Sequence, residues 1–574
     1  MKGKFIIYQI LLRVFANTNE NWVSGGSLQL NGSGRFSDIT DKVLSSLKSL
    51  HVTHIWYTGV IEHATRSSFG QINLKGDNPL VVKGEAGSPY AIKDYYDVNP
   101  YLADNPAKRM EEFTALVERT HKAGLKVILD FVPNHVSRVY KSDVRPELDF
   151  GREDDTSVAF LPSNNFYYLP GESFNAAAIT DDRSLRESYS EFPAKATGND
   201  CFSASPGRND WYETVKLNYG VDYMHGCEPH FNPIPRSWKM MVQILLYWVE
   251  KGVDGFRCDM AEMVPVEFWS YAIKETRRVN SQILFIAEAY NPANYERYLN
   301  SGFNYIYDKV GLYDKLRQIS RGEAAAEQIT KCWQSIDKIQ GRMLNFLENH
   351  DEQRIASEFN LSDPFKALPE LAVSLLLNTA PFMLYFGQEV GERGMECEGY
   401  GGRDGRTSIF DYCQAPAVRN YFKYLSGMGE WEGVEPKSRE LYSLYSRMLG
   451  ISLSEEAVRE GYTFDLEYVN ANSPSNPDFD SHRHFAFARR SRPGMEKGGK
   501  ESLIFVAVDF LQNTKHLSLF LPKYLFECWN IREGNYKYIN LLGEERGTVD
   551  LGSDSFIELK FDRYGVAILK IELE

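Results

Sequence analysis

The 574-residue sequence predicts an α/β fold built on a closed (β/α)8 TIM barrel, with an irregular domain inserted after the third strand and an antiparallel β-sandwich at the C-terminus. Three observations predict it. Short apolar runs alternate with helix-period segments from the start of the chain to about residue 450, the pattern of a parallel sheet wrapped by helices. Eight such runs can be placed, the number a closed barrel requires. Three sites carry a carboxylate just past such a run, at Asp259, Glu288 and Asp351. In a parallel barrel that end opens into the loops of one face.

Residues 5–10 supply the first strand. They follow a lysine-bearing start and look like the apolar part of a signal segment, but Gln9 and Arg13 interrupt the pattern and no small-x-small cleavage site follows. Residues 54–60 and 126–132 are the second and third strands, and 255–260, 284–290, 305–307, 344–347 and 382–386 complete the set. Between them, Pro106 opens a helix whose apolar face is Met110, Phe113, Leu116 and Val117, with Gly124 placed to end it. Pro235 opens another, closed by Gly252 just before the fourth strand.

Over 137–210 the periodicity fails and Asp, Ser, Asn, Arg and aromatic residues dominate. A structureless loop of that length is uncommon inside a compact domain, so a small irregular domain is expected there, on the carboxylate face. Beyond about residue 453 strand-like runs at 484–489, 503–510, 516–521 and 567–571 replace the helical period. The expected organisation is therefore a barrel over 1–136 and 211–452, an insert over 137–210 and a sandwich over 453–574.

Composition narrows the partners. A net charge of −14 argues against nucleic acid and anionic membrane surfaces, and no run is long and apolar enough to span a bilayer. Aromatic residues make up 13% of the chain, which suits a large core and equally a cleft lined for sugars. Seven cysteines, at 201, 227, 258, 332, 397, 413 and 528, show neither a CxxC pair nor metal-ligand spacing. They read as reduced thiols, and a cytoplasmic location is expected. Cys258 should face away from its neighbour Asp259, because strand residues alternate.

The carboxylates point to glycoside chemistry, which needs two of them flanking the scissile bond, about 5–5.5 Å apart for retention. Asp259 and Glu288 are one β-to-β step apart in an alternating fold, hence on adjacent strand ends. Arg257 shares a strand face with Asp259 and is expected to keep it ionised, as a nucleophile requires. Glu288 follows Phe285-Ile286-Ala287, an apolar setting expected to raise its pKa, as a proton donor requires. Asp351, beside His350, is expected to hydrogen-bond sugar hydroxyls.

Asp130-Phe131-Val132-Pro133-Asn134-His135, Gly255-Phe256-Arg257-Cys258-Asp259, Ala287-Glu288 and Glu348-Asn349-His350-Asp351 resemble, in order and spacing, the four signature regions of the α-amylase family, glycoside hydrolase family 13. Gly387-Gln388-Glu389 resembles a further family segment. The resemblance spans the barrel and implies Asp259 as nucleophile, Glu288 as general acid/base and Asp351 as transition-state stabiliser. It implies Arg257, His135 and His350 as sugar binders and Tyr90 as a stacking platform.

Three departures qualify it. Glu262 and Met263 stand where many amylases carry Lys-His against the leaving-group sugar. Lys216, in a segment resembling the family's fifth region, stands where calcium-binding members have an Asp, so the usual calcium site near Asn134 is expected to be lost and no cofactor to be required. Ala91 replaces the acidic residue that exo-acting α-glucosidases place after the Tyr, which leans toward internal cleavage. The expected activity is hydrolysis of α-1,4 bonds in maltooligosaccharides or starch-like glucans. An α-glucan transferase, an α-glucosidase and a non-catalytic carbohydrate-binding relative are the alternatives.

Overall fold

Period-two burial sorts the strands of this protein between two cores. The computed structural model describes residues 3–394, 402–471, 473, 476–492 and 501–573. Up to the end of the barrel its principal strands are β1 (Ile6–Leu11), β2 (His54–Thr58), β3 (Ile61–His63), β4 (Ile92–Val98), β5 (Lys126–Phe131), β6 (His135–Ser137), β7 (Thr214–Lys216), β8 (Gly255–Cys258), β9 (Leu284–Ala287), β10 (Tyr305–Tyr307), β11 (Met343–Phe346) and β12 (Phe382–Tyr385). Strands β1, β2, β5 and β8 to β12 pair in parallel, in chain order, and β12 closes onto β1. Ile7, Trp56, Ile128, Leu284, Ile286, Leu344, Phe346 and Met383 fill the interior. Their neighbours Ile6, Tyr8, Ile55, Val127, Leu129, Phe256, Phe285 and Ala287 pack outward against the helices. Each strand is thus buried on both faces, which is why it reads as an unbroken apolar run. Cys258 joins the outer layer, as its place next to Asp259 predicts.

The helices begin and end where local chemistry directs. A 3₁₀ turn at Pro106–Lys108 leads into the helix Arg109–Lys122, and Pro235 caps Arg236–Glu250. Both close in the same way. Gly124 and Gly252 take φ of +76° and +90°. Leu125 N–H then reaches Thr120 O at 3.1 Å, as Val253 N–H reaches Trp248 O at 3.1 Å. This Schellman closure turns the chain straight into β5 and β8.

Two antiparallel pairs rise from strand ends beside the mouth: β3 with β4, and β6 with β7. The second roots the inserted segment, which contains the short pair Tyr168–Leu169 and Ala194–Lys195, a helix at Arg183–Ser188 and a buried Arg138–Glu191 ion pair at 2.7 Å.

The C-terminal strands are β13 (Tyr462–Asp465), β14 (His484–Arg490), β15 (Glu501–Asp509), β16 (His516–Leu521), β17 (Gly534–Asn540), β18 (Arg546–Leu551), β19 (Ser555–Lys560) and β20 (Val566–Leu573). They form an antiparallel sheet ordered β13-β14-β15-β20-β17-β18 and a facing pair β16-β19, around a separate apolar core. None of the six described cysteines is in a disulfide, and Cys397 lies outside the described residues. No helix among the described residues is long and apolar enough to cross a membrane.

Arg489 on β14 ties the two bodies together. It is buried and donates to Leu377 O (3.0 Å), Ala457 O (3.1 Å), Val458 O (2.9 Å) and Gly461 O (3.2 Å), with no carboxylate among these partners. Leu377 follows the helix Leu368–Leu376 that feeds β12. Arg489→Met should strand these carbonyls and lower stability by about 2–4 kcal/mol. The urea midpoint measures this, and an unchanged midpoint would remove Arg489 from that role.

Candidate active site

Parallel pairing sets Arg257 of β8 opposite Asp130 of β5, so the C-terminal strand ends bring one guanidinium among several carboxylates. Arg257 is 1% exposed. Its NH1 lies 2.7 Å from Asp259 Oδ1 and 3.4 Å from Asp130 Oδ1, and its NH2 lies 2.7 Å from Glu288 Oε1. Its Nε donates to Tyr307 Oη at 3.2 Å, and the rings of Trp56, Tyr90 and Tyr307 surround it at 5.3–5.7 Å.

The protonation pattern differs from the expected one. Burial, then the charge of Glu288, push Asp259 well above the usual carboxylate range, despite Arg257. Asp130 is pushed up by burial as well. Glu288 does not sit in apolar surroundings: Tyr290 Oη donates to Oε1 at 2.6 Å and Met260 N–H to Oε2 at 2.7 Å. The reason is strand alternation. Phe285 and Ala287 turn to the outer core, and the carboxyl reaches over the polar mouth. One guanidinium cannot neutralise three buried carboxylates, so the charge of Glu288 weighs on Asp259. Met260, whose N–H meets Glu288, sits at φ +43°, a left-handed backbone costing a non-glycine residue about 1–3 kcal/mol.

Opposite this pair stand Tyr90, His350 and Asp351. Tyr90 Oη lies 2.6 Å from His350 Nε2, the two rings stack at 5.0 Å, and Gln9 Nε2 lies 2.9 Å from His350 Nδ1. His350 Nε2 is 3.1 Å from Asp351 Oδ2, whose side chain is 34% exposed, so Asp351 faces the opening while Asp259 and Glu288 are nearly covered. His135, on β6, packs 5.2 Å from the Trp211 ring. Burial and the nearby Lys216 lower its pKa to about 3, leaving it neutral and able to hydrogen-bond hydroxyls.

A cavity of about 480 Å³ is walled by Asp259, Glu288, Asp351, Tyr90, His135 and His350, with Arg257 behind them. The structure thus gathers all seven residues singled out in the sequence. It adds Trp211, Tyr290, Met260, Phe410 and the Lys83–Glu213 pair, 3.1 Å apart. Tyr290 could have been found two places after Glu288; nothing in the local pattern marks Trp211, which lies just before β7 and outside the eight barrel strands.

Two departures acquire a geometry. Glu262 and Met263 are not among the residues walling the cavity. Instead Glu262 Oε2 accepts the N–H groups of Tyr290 (2.7 Å) and Asn291 (3.0 Å), and Oε1 accepts Asn294 Nδ2 (2.9 Å). Lys216 is buried with its ammonium 3.0 Å from Asn134 Oδ1, ion-paired to Asp200 and 5.0 Å from the Tyr223 ring centre. A protein cation thus occupies the acceptors a calcium ion would need, and this donor set does not fit calcium.

A family model described as alpha amylase, catalytic domain, matches residues 9–421. Alpha-amylase 3 of Dictyoglomus thermophilum is 24% identical over 417 residues, covering 69% of this chain and 66% of that protein. An alpha-1,4-glucan:maltose-1-phosphate maltosyltransferase of Cereibacter sphaeroides is 25% identical over 304 residues, 50% of this chain and 40% of that protein. The chain therefore spans less than two thirds of these curated relatives. The crystal structure of a noncanonic maltogenic alpha-amylase from Thermotoga neapolitana superposes with a TM-score of 0.61 at 18% identity, covering 99% of both chains, and shares the fold.

Tyr290→Phe removes the hydroxyl on Glu288 and nothing else. Turnover on an α-glucan should fall about tenfold, the worth of one charge-assisted hydrogen bond, with the melting temperature kept. Wild-type turnover in this variant would show the contact to be idle.

Proposed function

The chain belongs to the α-amylase family, glycoside hydrolase family 13, and from that premise we propose that it is a retaining hydrolase of α-1,4 bonds in maltooligosaccharides or starch-like glucans. The family comprises α-glucan hydrolases and transferases, and the protein is a glycosidase-family enzyme. The observation that carries the finer reading is the bridging of Asp259 and Glu288 by the two terminal nitrogens of Arg257, each at 2.7 Å. A single guanidinium reaches both only across a short gap. That supports the separation of about 5–5.5 Å needed for a covalent intermediate over the wider one that leaves room for water.

In this reading Asp259 attacks the anomeric carbon while Glu288 protonates the departing glycosidic oxygen. Water, deprotonated by Glu288, then releases the sugar from the Asp259 ester. Asp351, His350 and His135 hydrogen-bond the hydroxyls of the distorted ring, and Tyr90 stacks on its face. Arg257 offsets the charge that gathers as Asp259 is released from the bond. No calcium ion takes part at Asn134, where Lys216 stands. The six described cysteines lie outside any disulfide, which supports a reducing, cytoplasmic location.

Transfer to a second sugar is the rival. It uses the same intermediate, and the maltosyltransferase relative favours keeping it. Chromatography of products from maltoheptaose, pullulan and soluble starch separates the two. Shorter oligosaccharides alone are expected; chains longer than maltoheptaose would overturn hydrolysis as the main activity. Asp259→Asn should reduce turnover at least about 10³-fold with the fold intact, and retained turnover would refute the nucleophile.

A second expectation follows from the elevated pKa of Asp259. The nucleophile must be ionised, so activity falls on the acid side as Asp259 takes a proton, at a pH above that of an ordinary Asp. Removing the negative charge of Glu288 should favour ionisation of Asp259. With an α-maltosyl fluoride, whose leaving group needs no acid, Glu288→Gln should therefore shift the acid limb of the first step to lower pH. A shift to higher pH, or none, contradicts the coupling.

A further inference from the structure

Away from the catalytic carboxylates, the β3–β4 pair holds a second acidic group. Among the described residues, Glu62, Asp94 and Asp97 each bring one carboxylate oxygen to within 4.8 Å of the others, all three buried. Pairing is irregular on both sides of Glu62, and such irregularity re-aims side chains, so β3 and β4 present three acids at one place.

The partners of these acids are unequal. Asp94 Oδ1 accepts Tyr96 N–H (2.8 Å), and its Oδ2 accepts Ser142 Oγ (2.8 Å) and Asp143 N–H (2.9 Å) from the start of the insert. Asp97 is held by Arg109 NH2 at 2.5 Å. Glu62 is 1% exposed, and its Oε2 has no hydrogen-bond partner. The two cations that act on it are engaged elsewhere, Lys93 on Asp77 at 2.9 Å and Arg109 on Asp97. A buried carboxylate oxygen without donors is costly, and a coordinated cation is one of the few partners that satisfies it.

We propose that Glu62, Asp94 and Asp97 form a binding site for a hard divalent cation, bracing the β3–β4 pair against the root of the insert. The donors are all carboxylate oxygens, the set that selects hard ions over zinc or copper. The ion would stabilise the stem of the segment that begins at Tyr90, since Asp94 lies four residues beyond that platform and also holds Ser142. This location is separate from Asn134 and Lys216.

The test uses the full chain, stripped with EDTA and titrated with terbium while tyrosine is excited. Wild type should show a saturable, calcium-displaceable signal at one ion per chain, and calcium should raise its melting temperature by a few degrees. Glu62→Gln keeps the shape and breaks no protein hydrogen bond, so it should fold. It should weaken terbium binding at least tenfold and lose the calcium-induced shift, whereas Asp200→Asn, at the Lys216 site, should leave both unchanged. Absence of terbium or calcium binding overturns the proposal. So does binding that survives Glu62→Gln, or binding lost in Asp200→Asn instead.

Discussion

The mouth of this barrel depends on one buried guanidinium placed among more negative charge than it can neutralise. Arg257 touches Asp259 and Glu288 at 2.7 Å and faces Asp130 at 3.4 Å. A lone charge at 1% exposure is tolerable only with such partners. The surrounding rings of Trp56, Tyr90 and Tyr307 exclude water and offer their faces to the cation. The negative charge left over makes ionising Asp259 harder, and burial and the charge of Glu288 push it well above the usual carboxylate range. Backbone register enforces all of it. A slip of β8 by one residue would turn Arg257 into the helix layer and Cys258 into the mouth.

Around that centre the chain spends its polar side chains on orientation. Gln9 enters from β1 and meets His350, which meets Tyr90 and Asp351, so the floor and the open wall of the cavity are linked by hydrogen bonds. At the root of the insert the ammonium of Lys216 lies between Asn134 and Asp200 and beneath Tyr223. A covalently attached cation cannot be chelated away, so this junction keeps its charge balance whatever the metal concentration. On the β3–β4 stem the nearby protein cations are engaged elsewhere, Lys93 on Asp77 and Arg109 on Asp97, so neither is paired with Glu62.

Much of this was legible because barrel strands carry their chemistry at one end. A run such as 284–287 followed by Glu288, or 255–258 followed by Asp259, declares both strand and site, and the helix-closing Gly124 and Gly252 behave as their positions imply. What was not legible depends on contacts between distant segments. Trp211 and the Lys83–Glu213 pair line the cavity from segments outside the eight barrel strands. The surroundings of Glu288 were misjudged because its apolar neighbours in sequence face the other side of the sheet. Strands β13, β17, β18 and β19 escape notice because they are partly exposed and rich in polar residues, as in Gly534–Asn540, so the hydrophobic signal is diluted.

The residues after Asp259 show how a departure from a family pattern can be structural before it is functional. Glu262 accepts two backbone N–H groups and one side-chain amide from the loop that follows β9. One of those N–H groups belongs to Tyr290, whose hydroxyl rests on Glu288 at 2.6 Å. Glu288 also receives the N–H of Met260, the residue that the left-handed backbone re-aims directly after Asp259. The segments following β8 and β9 therefore hold each other, and both converge on the same carboxylate. A lysine at position 262 could accept none of these hydrogen bonds, because an ammonium has no lone pair to offer. The loop would lose its anchor, and with it the fixed position of Tyr290. In this chain the two residues standing where many amylases carry Lys-His lie off the cavity wall, and Glu262 holds the loop that sets Tyr290 against Glu288.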